Sequence, residues 1–209
     1  MHPSRWRALA EDGHITAQVM LGLLLYAGDG VRQDFLEAAK WFRAAALQED
    51  ARAQFNLAAM YERGLGVARN ESIAAEWCRR AAEQGQAAAQ ARLGYFYSKG
   101  LGVERDEEET TNWYRRAALQ NHLAAQYDLG VQYANGRGVD QNDATAANWF
   151  LLAARNGLAR AQLVLGLCYA NGRGVPRDAA QAVAWLRLAA EQGLGRAQYN
   201  LGVILGRGA

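Results

Sequence analysis

The chain has 209 residues, and its 23 Lys+Arg against 21 Asp+Glu give a formal charge of +2 at pH 7, so no whole-chain field draws in nucleic acid or an anionic membrane. With 51% hydrophobic residues and only two prolines, it is neither a disordered nor a fibrous sequence and has the composition of a helical protein. Its 22 glycines must then punctuate helices, because glycine inside a helix is destabilising.

The first predicted element is a helix over 3–12. It is an incomplete copy of a tryptophan-bearing helix that recurs downstream, with Arg5 at the tryptophan column and Trp6 displaced by one place. From about residue 15 the chain repeats itself. Trp41, Trp77, Trp113, Trp149 and Trp185 stand 36 residues apart with no insertion, and such a period marks a stack of supersecondary units. Gln18, Gln54, Gln90, Gln126, Gln162 and Gln198 keep the same register.

Within each unit a first helix precedes the loop. Ala53, Leu57 and Tyr61 recur at i, i+4 and i+8, as do Ala89, Leu93 and Tyr97, which makes one buried stripe. Gly28, Gly64, Gly100, Gly136 and Gly172 are placed to end that helix in a left-handed conformation. A second glycine and a valine follow, so that NGRGV at 135–139 and 171–175 is one form of a loop made five times. None of the copies carries the lysine and serine or threonine that a phosphate cradle needs after its last glycine, and the loop reads as a turn.

Asp34, Asn70, Asp106, Asn142 and Asp178 suit the N-cap of the second helix, and Glu37, Glu109 and Gln181 are expected to complete capping boxes. The second helix carries the tryptophan and, four and five places later, an alanine pair such as Ala81-Ala82. It ends at Gly85, Gly157 or Gly193, with Asn121 standing in; Glu49-Asp50 predicts a less regular corner. The column Gly22, Ala58, Gly94, Gly130, Gly166 and Gly202 suggests that a neighbouring backbone passes too close for anything larger. The last predicted element is an unpaired helix over 195–207. The sum is an all-α solenoid of about twelve helices, one domain over 1–209 with period-36 repeats from about 15 to 194.

The pattern A-Q-x-x-L-G-x-x-Y-x-x-G-x-G-V, followed by A-x-x-W and A-A-x-x-G, resembles the Sel-one-like repeat (SLR), a relative of the tetratricopeptide repeat. Ala125-Gln126, Leu129-Gly130, Tyr133, Gly136, Gly138-Val139, Trp149, Ala153-Ala154 and Gly157 carry the best match. The first unit departs from it at Leu25 and Arg5, as an N-terminal cap does. The resemblance implies a right-handed superhelix whose first helices line a concave surface, and a non-enzymatic adaptor that holds protein complexes together without cofactors. Some members are associated with penicillin binding or hydrolysis, so the alternative is a hydrolase of β-lactam or peptidoglycan-type substrates. Ser4, Ser72 and Ser98 lack the S-x-x-K spacing or the paired base that such chemistry needs.

Positions that differ between repeats nominate a binding face. One column reads Met20, Asn56, Arg92, Asp128, Val164, Asn200, and another Ala27, Arg63, Lys99, Asn135, Asn171, Arg207. A core column would not mix these charges. If they face the groove, Asn56, Asn135, Asn171 and Asn200 offer amides to an extended peptide while Arg63, Arg92 and Lys99 meet carboxylates, with Asp128 and Arg207 in the same partner-binding set; the alternative is a solvated polar face. A third column, Val19, Phe55, Ala91, Tyr127, Leu163 and Tyr199, offers either stacking anchors or packing between repeats.

Leu151 breaks a column of arginines (Arg43, Arg79, Arg115, Arg187). With Leu152 and Leu158 it offers an exposed apolar patch, the favoured alternative being leucines exposed singly as on any surface; this patch or the uncovered C-terminal helix is where the chain would meet a second copy. His2, His14 and His122 share no register and Cys78 and Cys168 sit in apolar columns, so no metal site is expected. Unpaired thiols and the lack of a signal-like N-terminus point to the cytoplasm, or to the periplasm or exterior had a signal been removed. No run reaches the roughly 18 apolar residues of a membrane span.

Overall fold

The computed structural model describes residues 3–206, which form twelve α-helices in two compact units. The first, up to residue 106, holds α1 (Pro3–Glu11), α2 (Ile15–Ala27), α3 (Phe35–Leu47), α4 (Ala51–Arg63), α5 (Glu71–Glu83) and α6 (Ala87–Lys99). The second, from residue 107, holds α7 (Glu107–Leu119), α8 (Leu123–Asn135), α9 (Asp143–Arg155), α10 (Ala159–Asn171), α11 (Ala179–Glu191) and α12 (Gly195–Gly206). The even-numbered helices are the predicted first helices. Arg207 and His2 lie outside the described residues.

Each first helix stops where the sequence says it should. Gly28, Gly64, Gly100, Gly136 and Gly172 take φ between +63° and +75°, a region that a side chain makes unfavourable. Second helices start at caps: the Asp34, Asn70, Asn142 and Asp178 side chains accept from the backbone N–H three residues on, at 2.8–3.0 Å. The expected capping boxes are only half made. The cap residue's own N–H donates instead to a carbonyl of the preceding first helix, Asp34 to Leu25, Asn70 to Tyr61 and Asp178 to Tyr169. In the first repeat this leaves Glu37 to bond Arg7 and the Trp41 indole. The cap thereby staples the two helices of a pair together.

Two expectations need correction. The corner at Glu49 is regular: Glu49 adopts φ +62°, as Asn121 does, and Asp50 N–H closes it on the Ala45 carbonyl as Gln86 does on Ala81. The helical glycine column is crowded by a neighbouring side chain at Gly22 and Gly130, and by both a side chain and the Ala182 carbonyl, 3.2 Å from where a Cβ would stand, at Gly166. A Cβ at Gly22 or Gly130 would meet the ring of Phe42 or Phe150 at 2.8 or 2.6 Å, and at Gly166 the side chain of Leu186 at 2.8 Å. Ala58 stands where the corresponding second-helix residue is the small Cys78, so volume is exchanged between columns. The close backbone approach is in the loop, where a Cβ on Gly66, Gly102, Gly138 or Gly174 would overlap the carbonyl of Phe35, Glu71, Glu107 or Asp143.

Alanine pairs of the second helices are at most 1% exposed in repeats one to four, which lets helices pack closely. The recurring glutamine is a brace. Gln18, Gln54, Gln90, Gln126 and Gln162 are buried, and each donates to the carbonyl eight residues upstream at 3.1–3.2 Å. The carbonyl oxygens of Gln18, Gln54 and Gln162 accept in turn from Gln48, Gln84 and Gln192 at 2.8–2.9 Å. In the fourth repeat the donor column holds Asn156, which turns to its own helix at Leu152, and Gln126 Oε1 is buried with no protein partner.

Candidate functional site

The variable columns fall partly in each unit. In the first, α2, α4 and α6, with Phe42 of α3, line a cavity of about 320 Å³. Asn56, Arg63 and Arg92 line it together with Tyr26, Phe55 and Glu62. Arg63 is exposed and its guanidinium donates to the Tyr26 hydroxyl at 3.2 Å. Arg92 is half-buried and forms an ion pair with Glu62, Nε to Oε2 at 3.0 Å. Its guanidinium also stands 4.8 Å from the Tyr95 ring centre and 5.4 Å from that of Phe96. The carboxylate expected from a partner is thus already supplied within the chain, and Arg92 acts as a fixed, planar floor to the cavity. Lys99 is exposed in the last turn of α6.

Sequence reading missed Glu62, Tyr26 and Tyr95. The signal was a separation of 30 residues instead of 36: Arg7–Glu37, Glu62–Arg92, Asp143–Arg173 and the glutamine pairs all use it.

The second unit places the remaining candidates differently. Asn135 and Asn200 each donate an amide N–H to a carbonyl of their own helix, Val131 at 2.8 Å and Arg196 at 2.6 Å. Asn171 is exposed. Asp128 is half-buried, and burial pushes its carboxyl above the ordinary range, partly opposed by the charge of Arg160. Arg160 lies 4.6 Å from the centre of the Tyr127 ring.

The third column is graded. Val19 and Leu163 are buried and Tyr127 packs against Phe150 at 5.7 Å, but Phe55 edges the cavity and Tyr199 is 73% exposed. The predicted leucine patch is not a patch. Leu151 and Leu158 pack on the core of the second unit, and of the three only Leu152 is exposed. Among the described residues of α12 only Ala197 is buried.

Both thiols lie inside the fold. Cys78 is fully buried, its thiol directed at the Ala89 carbonyl and pushed up to about 12 by burial; burial also raises the Cys168 thiol. The Ser98 hydroxyl donates to the Tyr95 carbonyl of its own helix at 2.8 Å. No three metal-ligating side chains cluster among the described residues, and no described helix is long and apolar enough to cross a membrane.

Comparison with known proteins places this geometry. The family model described as Sel1 repeat matches residues 15–50, 51–86, 87–122, 123–158, 159–194 and 195–209. No curated protein matches. Among solved structures, the chain is similar to c5321, a protective antigen of uropathogenic Escherichia coli strains displaying an SLR fold, with 39% identity and a TM-score of 0.94. The match covers 97% of this chain but 44% of that one, so the chain spans less than half of that relative. A Sel1 repeat protein from Oxalobacter formigenes is 37% identical with a TM-score of 0.84, over 90% of this chain and 75% of that one. A Klebsiella pneumoniae protein at 21% identity and a TM-score of 0.58 shares the fold. Proteins built this way are generally interaction scaffolds and typically not enzymes. Six matched repeats, twelve helices and the shared loop glycines have one meaning: the chain belongs to the Sel1 repeat family.

Proposed function

We propose that the chain is a non-enzymatic adaptor that binds an extended segment of a partner protein on the face carried by its first helices. The observation that supports this is the cavity between α2, α4 and α6, where Asn56 and Arg63 remain approachable beside Tyr26 and Phe55 over a floor fixed by the Arg92–Glu62 pair. An aromatic wall with a few oriented polar groups is the usual composition of a peptide-binding surface.

A photocrosslinking residue at Asn56 tests it in the native host. A discrete crosslinked protein that is lost when Arg63 and Arg92 become alanine, kept when exposed Leu119 becomes alanine instead, and absent when the crosslinker is moved to Leu119 supports the reading. Equal capture from both positions refutes it. The non-enzymatic part is checked with nitrocefin and with peptidoglycan fragments, for which no turnover above buffer is expected.

A further inference from the structure

Arginine stands two places after the tryptophan in four of five second helices, and in two of these its task is visible. Arg79 donates to the Tyr97 hydroxyl at 2.9 Å and Arg115 to that of Tyr133 at 3.4 Å, each bridging a second helix to the first helix that follows it. The fourth repeat has Leu151 at this place and Tyr169 at the tyrosine place. With no guanidinium across the gap, a cavity of about 420 Å³ opens between α9, the end of α10 and the start of α11.

Its walls are Leu151, Trp185 and Pro176, and its polar groups are Arg155, Arg177 and the Tyr169 hydroxyl. Among the described residues neither arginine has an acidic partner and nothing bonds that hydroxyl. Asp178 also borders the cavity, but its carboxylate is turned to the Gln181 N–H at 3.0 Å as the cap of α11, where the helix terminus offsets its charge. Pro176, Arg177 and Gln181 are exposed, so the cavity is open to solvent on that side.

We propose that this cavity is a second docking site, for a segment of a partner protein that carries an aspartate or glutamate next to a large apolar side chain. Two unpaired guanidiniums select the carboxylate, which the tyrosine hydroxyl orients. Leu151, Pro176 and the Trp185 ring receive the apolar group. The site is distinct from the cavity between α2, α4 and α6: it lies in the other unit and shares no residue with it.

The test uses the full chain and fluorescein-labelled peptides of about ten residues in which Glu or Asp precedes Leu, Phe or Trp, each paired with its Gln or Asn counterpart. Fluorescence anisotropy is expected to show saturable binding of acidic peptides, at least about tenfold tighter than their amide counterparts and weakening with salt. Leu151→Arg restores the residue used in the other four repeats, so it should fold, bridge to Tyr169 and reduce binding at least about tenfold. The pair Arg155→Gln and Arg177→Gln should remove the preference for acidic peptides while circular dichroism stays unchanged. Equal binding of acidic and amide peptides, unaltered binding by Leu151→Arg, or no binding at about millimolar protein each overturns the proposal.

Discussion

Asn156 is the one short side chain in a column of glutamines, and the structure gives the consequence of lengthening it. In three other repeats that column donates to the buried brace glutamine at 2.8–2.9 Å; in the fourth, Gln126 Oε1 has no protein donor. A buried acceptor left unpaired costs about 1–3 kcal/mol, and a completed hydrogen bond returns roughly 1 kcal/mol net. Ordering the longer side chain takes back a part, under about 1 kcal/mol, and the lost bond from Asn156 to Leu152 is exposed, where water replaces it. Asn156→Gln should therefore stabilise by about 1 kcal/mol, or roughly 3 °C in Tm for a chain of this size. The reverse change, Gln192→Asn, should cost about 1–2 kcal/mol by stripping the donor from Gln162 and Gly157. Thermal and urea denaturation followed by circular dichroism measure both. A native-like Asn156→Gln variant with an unchanged or lower midpoint would refute the brace argument.

Other consequences follow from the loops and from Asp128. Gly66→Ala combines a positive φ with overlap on the Phe35 carbonyl and should lose about 3 kcal/mol or more, whereas Gly85→Ala, at φ +91° in open space, should lose only about 1 kcal/mol; chemical denaturation compares them. Glu49→Gly relieves a left-handed non-glycine residue and should raise stability by about 0.5–1 kcal/mol in the same assay. Because burial raises the folded-state carboxyl of Asp128, its charged form is a cost at neutral pH that fades as pH falls through that raised value. Asp128→Asn should accordingly raise Tm at pH 7, with a gain that disappears toward about pH 4; a gain independent of pH would show that charge is not the cause.

The repeat architecture was legible because each unit touches its neighbours in the same way, so the packing residues recur at fixed spacing. Trp41 to Trp185, the loop glycines and the caps all took the places their chemistry demanded. What was not legible depends on reach. A column comparison aligns Arg92 with Asn56, but the long arginine side chain extends to Glu62, six places further on, and only a search for complementary charges 30 residues apart would have paired them. The intrahelical bonds of Asn135 and Asn200 were hidden because sequence does not reveal a side-chain rotamer. Leu151 was recognised as an exception, but its packing on the core was not.

The loop glycine that lies against the preceding second helix has a consequence for transplantation. A segment cut at the sequence period, 51–86 for instance, separates Gly66 from the Phe35 carbonyl it was shaped to clear. The portable block therefore runs from the start of one second helix, through the loop that crosses it, to the cap of the next second helix, residues 35–70 or 71–106. Chimeras joined at those borders should keep their turns, and duplication of this gene segment in the same frame would lengthen the array without building a new junction.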